Sequence, residues 1–246
     1  MTLPWLARDP ASPFPPVASA KRSPNGLLAV GGDLAPERLL NAYRNGIFPW
    51  YSEGTPILWW TPDPRCVFRT ESMHMPRRLR RFLRGCDWRI ESDRRFLGVI
   101  EGCAGDRPDV GGGEPGTWIV PEMKAAYVRM HELGHAHSIE VIAGDQLVGG
   151  LYGLVIGRMF FAESMFSAED HGSKVALLAL AHSMSAWGWP LIDAQVASPH
   201  LFTLGASTVP RADFLRALQP LLDPAQAMPW ASAWQDMEAR NLARAS

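Results

Sequence analysis

The chain has 246 residues, 47% of them hydrophobic and 20% charged, enough for one large domain or two smaller ones. Its formal net charge of −1 excludes nucleic-acid binding through overall charge, so any such contact needs a local basic patch. The apolar run over 175–192 is broken by His182, Ser183, Ser185, Gly188 and Pro190, so no membrane span is expected. No signal peptide is expected either, and three cysteines without metal-type spacing (Cys66, Cys86, Cys103) fit reduced thiols in a cytoplasm.

In chain order, "GDLAPERLLNAYRNGIFPWY" holds a short helix. Asp33 can cap it, Leu34, Leu39, Leu40 and Tyr43 give it an apolar side, and Asn45-Gly46 stop it. "ILWWTPDPRCVF" reads as a strand ended by a Pro-rich turn, and a domain boundary is expected at Asp63-Pro64. This divides the chain into a small N-terminal domain over residues 1–63 and a second domain over 64–246. "MPRRLRRFLRG" reads as a helix between Pro76 and Gly85, with Leu79, Phe82 and Leu83 on one side and Arg77, Arg80, Arg81 and Arg84 on the other. "GDRPDVGGGEPGTW" reads as a glycine-rich loop, and a further helix is expected from Pro121 to a stop at Gly134. Three strands follow, over 138–143, 146–156 and 158–165, turning at Gly144-Asp145 and near Gly157. "SKVALLALAHSMSAW" is a long helix ended by Gly188, "PLIDAQV" a strand, and "VPRADFLRAL" a last helix. The final twenty residues are expected to be a peripheral extension.

Several motifs admit both a chemical and a plain reading. "HELGH" matches the H-E-x-x-H zinc pattern, which needs both histidines on one helical face; a helix stop at Gly134 puts His135 beyond that face. "SAEDHGSKVAL" stands where an acyl-CoA transferase would open its long helix on a pyrophosphate, but Glu169 and Asp170 repel a diphosphate. The arginine stripe fits a solvated face or a phosphate contact strip, and Tyr43, Phe48, Trp50, Trp59 and Trp60 fit a core or a platform for unpaired bases. Glu163 sits among Phe160, Phe161, Met165 and Phe166, in an ordinary strand or an adaptable apolar pocket. In "PLIDAQVASPH", Asp193 and Gln195 are two apart, which on a strand places both on one face. A buried carboxylate beside a buried carboxamide requires partners.

Antiparallel strands followed by strand–helix–strand, with the glycine-interrupted "LVGGLYGLVIG", resemble the acyl-transfer half of a Gcn5-type N-acetyltransferase fold, an α/β (α+β) domain with a mixed, mainly antiparallel sheet. A more specific resemblance covers residues 24–215. "PNGLLAVGGDLAPERLLNAYRNGIFPWY", "ILWWTPDPRCV", "GTWI", "HELGHAHSIEV", "LVGGLYG", "FFAESMFS", "SKVALLAL", "LIDAQV" and "H-x-x-x-LGA" are similar, in order, to the leucyl/phenylalanyl-tRNA–protein transferases.

That resemblance implies transfer of Leu, Phe or, less well, Met from an aminoacyl-tRNA to the α-amine of proteins beginning with Arg or Lys, which marks them for N-end-rule degradation. It implies a bacterial, cytoplasmic enzyme with no cofactor and no metal, expected to act as a monomer. By the same resemblance Asp193, Gln195 and Glu163 are the catalytic set, and Leu151, Phe160, Met165, Leu180 and Ile192 form the pocket for the transferred side chain. Tyr43, Trp50, Trp118 and Tyr127 lie near the terminal adenosine, and the stripe Arg77, Arg80, Arg81 and Arg84 contacts tRNA. An α-amine, with a reference pKa of about 7.7–8.0, is partly free at neutral pH, so positioning matters more than strong base catalysis. Gln195 can accept an N–H from the amine while Asp193 orients Gln195 or attracts the acceptor's cationic end; alternatively the terminal hydroxyl of the tRNA moves the proton. Two other classes stand beside this one: a CoA-dependent N-acetyltransferase and a noncatalytic tRNA-binding module.

Overall fold

A computed structural model describes residues 3–105, 119–226 and 228–244. The glycine-rich loop over 106–118, with its insertion at 111–113 and Trp118, lies outside the described residues.

The first sixty residues build a four-stranded sheet. Strands β1 (Trp5–Leu6) and β2 (Leu27–Gly31) run parallel; after helix α1 (Pro36–Arg44), β3 (Phe48–Pro49) and β4 (Leu58–Trp60) complete the order β1-β2-β4-β3. Asp33 lies two residues before the capping position, held by Ala35. Its carboxylate accepts the Ala35 N–H and the Arg38 Nε–H instead. Gly46, at φ +69°, takes the left-handed conformation that ends α1.

Beyond Asp63-Pro64 the chain enters a second sheet through β5 (Arg65–Arg69). There follow α2 (Arg77–Arg84), β6 (Arg89–Ser92), α3 (Phe96–Ala104), α4 (Pro121–Glu132), β7 (Ala136–Ala143), β8 (Gln146–Ile156) and β9 (Met159–Ser167). Then come α5 (Gly172–Ala186), β10 (Leu191–Gln195), α6 (Pro199–Phe202), β11 (Ser207–Val209), α7 (Arg211–Leu218), α8 (Trp230–Ala233), β12 (Met237–Glu238) and α9 (Ala239–Leu242). The eight-stranded order is β11-β5-β10-β9-β8-β7-β6-β12, and only β9 and β10 pair in parallel, joined by α5. This is the mixed, mainly antiparallel Gcn5-like arrangement.

Alternation along the strands feeds two cores. Phe160, Ile192 and Leu151 pack with α5 on one face; Phe161, Tyr152 and Leu154 pack with α3, α4 and the small sheet on the other. The glycines of β8 have a steric reason: a Cβ on Gly149 would lie 2.5 Å from the Gly172 backbone, so β8 can run directly beneath the head of α5. Two short elements between α2 and α4, namely β6 and α3, carry no clear period in the sequence.

The final residues are not peripheral. Trp230, Ala239 and Leu242 are buried, and β12 pairs with β6 to cover its outer edge. Trp230 stacks on His137 and Trp234 and meets Trp187 edge-on, and this aromatic burial docks the segment. No helix among the described residues is long and apolar enough to cross a membrane.

Candidate active site between two parallel strands

Strands β9 and β10 stay paired at Leu191–Met159, Ile192–Phe160 and Asp193–Phe161. Immediately beyond, each strand bulges. Against β8 the register passes from Gly153–Ala162 to Tyr152–Ser164, so Glu163 is the inserted residue. Against β5 it passes from Asp193–Val67 to Gln195–Cys66, so Ala194 is inserted. Bulges bend their strands and re-aim side chains. The two strands part here, leaving a cavity of about 290 Å³ with Phe48, Pro49 and Trp50 on one wall and Glu163, Gln195 and residues 196–198 on the other.

Gln195 has φ +52°, a left-handed conformation that costs a non-glycine residue roughly 1 kcal/mol or more. Its N–H is held at 3.0 Å by Asp193 Oδ1. Asp193 is fully buried and engages Arg65 through both oxygens, Nε to Oδ1 at 2.8 Å and Nη2 to Oδ2 at 2.6 Å. The i, i+2 relation thus survives the bulge as a hydrogen bond rather than as a shared face. Arg65 thus answers the charge of Asp193, and the same carboxylate holds the Gln195 N–H.

Glu163 is held differently. Tyr43 and Tyr127 each direct their one hydroxyl proton to its two oxygens at 2.6 and 2.8 Å, and the two hydroxyl oxygens also lie against each other, so two protons serve three short contacts. Burial raises its pKa to about 7; the Tyr43 and Tyr127 hydrogen bonds oppose the rise, Asp193 adds to it, and Arg65 opposes it. Burial and the neighbouring Glu163 push both tyrosines well above their ordinary value. Gln195 Nε2 donates to Glu163 Oε1 at 3.2 Å. When Glu163 is ionised it only accepts, and this contact then turns the amide nitrogen of Gln195 to Glu163 and leaves its carbonyl free of that partner.

The structure therefore brings Asp193, Gln195 and Glu163 together. It gathers Leu151, Phe160, Met165, Leu180 and Ile192 on the α5 face, Leu151 opposite Met165 and Ile192 beside Phe160. Four of these are closed to solvent and only Met165 is half-buried; the open cavity has other walls. Tyr43 and Tyr127, expected beside the terminal adenosine, are fully buried and offer no ring face to a base: packing commits their hydroxyls to Glu163. Trp50 is 42% exposed on the cavity wall, 5.8 Å from the Trp60 ring. On α2, Arg77, Arg81 and Arg84 are exposed and Arg80 is half-buried, while Leu79 and Leu83 anchor the helix. His135 falls past the end of α4, so "HELGH" forms no two-histidine face. Sequence reasoning missed Arg65 and Val196; the one available signal was a charged residue opening the otherwise apolar run "RCVF".

Sequence comparison assigns this architecture to a family. The profile for leucyl/phenylalanyl-tRNA protein transferase matches residues 67–219, and that for the N-terminal domain of the same proteins matches residues 32–63. A leucyl/phenylalanyl-tRNA–protein transferase of Xanthomonas axonopodis pv. citri is 54% identical over 245 residues, covering 99% of this chain and 97% of its own. Those of Xanthomonas euvesicatoria pv. vesicatoria and Xylella fastidiosa are 59% and 53% identical, covering 87% and 88% of this chain and 84% and 88% of theirs. Among solved structures, a conserved protein of unknown function from Staphylococcus epidermidis aligns with a TM-score of 0.40 at 11% identity, over 75% of this chain and 68% of that one. The chain belongs to the leucyl/phenylalanyl-tRNA–protein transferase family, and is an aminoacyltransferase.

Proposed function

We propose that the protein moves Leu or Phe, and less readily Met, from tRNA to the α-amine of proteins that begin with Arg or Lys, marking them for degradation by the bacterial N-end rule. The observation that carries this reading is the Gln195 carboxamide, whose nitrogen donates to Glu163 and whose carbonyl is free of that partner. That carbonyl accepts one N–H of the incoming amine and turns the nitrogen lone pair toward the ester. The step forms the amide C–N bond, breaks the ester C–O bond, and passes one proton from the amine to the departing ribose oxygen. An activated ester and an amine that is partly neutral near pH 7 need alignment above all, which is worth up to about 7–11 kcal/mol. Glu163 is the carboxylate on the cavity wall, and attracts the cationic side chain of the acceptor.

Trp50 supports stacking of the terminal adenosine, since an exposed indole beside a cavity is sequence-tolerant toward bases. The α2 stripe supports phosphate contact. Arg77 and Arg78 open the helix with no acidic residue in the first turn, where the macrodipole disfavours cations, so helix stability does not explain them. We take the enzyme to act as a monomer in the cytoplasm, where charged tRNA is available. The head of α5 speaks against CoA as donor: Ala168 and Glu169 N–H are bonded to Val148 O and Ser173 N–H to Ser167 Oγ, so the amides a pyrophosphate would need are engaged.

The test is incubation with leucyl-tRNA and three peptides differing only in a first residue of Arg, Lys or Ala, read by mass spectrometry. Leucine should appear on the Arg and Lys peptides. Equal transfer to all three defeats the acceptor assignment, and saturable acetyl-CoA binding without transfer favours the acetyltransferase. Admitted to the apolar cluster on the α5 face, which is closed here except at half-buried Met165, Ile and Val side chains, branched at Cβ, should be disfavoured by about 1–3 kcal/mol relative to Leu, and Met165→Ala should narrow that gap.

A further inference from the structure

Arg65 opens β5 as a fully buried cation. Its three nitrogens all donate: Nε and Nη2 to the two oxygens of Asp193, and Nη1 to Gly46 O at 3.0 Å. Its plane lies between the rings of Phe48 and Phe214, each 4.9 Å away. One planar group therefore touches three separate parts of the fold. Asp193 leads to Gln195, the strained residue on one wall of the cavity; Gly46 and Phe48 lead to the opposite wall and, two residues on, to Trp50; Phe214 belongs to α7.

We propose that Arg65 is a positioning residue for aminoacyl transfer, fixing Asp193 and through it Gln195. The inference rests on the reading of Gln195 as acceptor of the amine N–H. The chemistry of the guanidinium supports it. Asp193 Oδ1 must serve both Arg65 Nε and the Gln195 N–H, so the carboxylate has to stand at one fixed rotation. A planar fork with donors on two edges imposes that rotation and reaches Gly46 O at the same time; an ammonium at this position supplies charge but neither the fork nor the ring stacking. An amide displaced by a fraction of an ångström disrupts the approach of amine to ester.

The experiment is a double-mutant cycle of Arg65→Lys with Gln195→Ala, in single-turnover transfer from leucyl-tRNA to an Arg-initiated peptide. Binding of the charged tRNA and thermal melts are measured on the same samples. Arg65→Lys should lower the rate about 10- to 100-fold with tRNA affinity nearly unchanged, because affinity resides mainly in phosphate contacts. In the Gln195→Ala background the same change should cost less than about threefold, since the group it positions is gone. Full multiplicative loss in the double variant, or a lowered melting temperature with the rate intact, overturns the inference and leaves the role of Gln195 standing. A wild-type rate for Gln195→Ala overturns both. Should Arg65→Lys fail to fold, Phe214→Leu, which keeps the ion pair and removes one ring, replaces it in the cycle: a smaller rate loss that vanishes in the Gln195→Ala background is expected, and an undiminished one overturns the inference.

Discussion

The two strands that border the opening each bury a carboxylate, and they do so by opposite means. On the β10 side, Asp193 meets a guanidinium cation in a two-pronged contact closed to solvent. On the β9 side, Glu163 meets two neutral phenols and a carboxamide beside the cavity. The first arrangement cancels a charge and leaves geometry; the second leaves a charge free to titrate, with a pKa of about 7. One strand is scaffold, and the other responds to conditions.

The comparison breaks most decisively at the scaffold. Asp193→Ala strands a buried guanidinium, and should destabilise the fold by about 3–5 kcal/mol in denaturant titration, with transfer lost as well. A loss under about 1 kcal/mol would mean that the pair is no scaffold. Gln195→Ala leaves that pair intact; stability should shift by no more than about 1 kcal/mol while transfer falls up to about 100-fold.

The responsive strand is sharpened by pH. On the role proposed for Gln195, ionised Glu163 holds its carboxamide, so the rate should rise through about pH 7, in addition to the rise that follows the amine itself. Glu163→Gln should abolish the limb near 7 and keep the amine's. The stability effect runs the other way. The folded-state pKa lies above the unfolded value, so the native protein binds the extra proton, and this contribution is full at low pH and fades as pH rises through about 7. Relative to wild type, Glu163→Gln should therefore gain up to about 3 kcal/mol between pH 4 and pH 8; a pH-independent difference contradicts the assignment. The smallest effect on chemistry is expected far from both strands. Arg81→Glu with Arg84→Glu should weaken tRNA binding and flatten its salt dependence by about 2 in log–log slope, with the pH profile of single turnover unmoved.

Much of this could be read from the chain alone, where the signal is local. Gly134 and Gly144 mark real ends and turns, the leucine side of α2 is buried as its period requires, and the strand-like run 146–156 between two turns gives β8. Weak local signals failed: "RIES" is too short and mixed to announce β6, and α3 is diluted by Gly98 and Gly102. Gly102 is there because Phe166 packs onto it, a contact from another strand that no window of sequence contains. In the site, the spacing of Asp193 and Gln195 was visible, but the bulge at Ala194 that rotates one of them was not. Partners were hidden for the same reason: Tyr43, Tyr127 and Glu163 meet across 120 and 36 residues.

The place of β5 in the sheet has a consequence for how the protein is made. Its neighbours are β10 and β11, and Arg65 is separated from Asp193 by 128 residues. On a ribosome adding about 5–20 residues per second, Arg65 emerges roughly 6–25 seconds before its carboxylate exists. Throughout that interval the strand "RCVFR" has no partner on either edge, and the nascent chain carries an open β-template. The opening between β9 and β10 therefore comes into being only after about four-fifths of the polypeptide has been synthesised, and an unfinished copy has no formed cavity at this place.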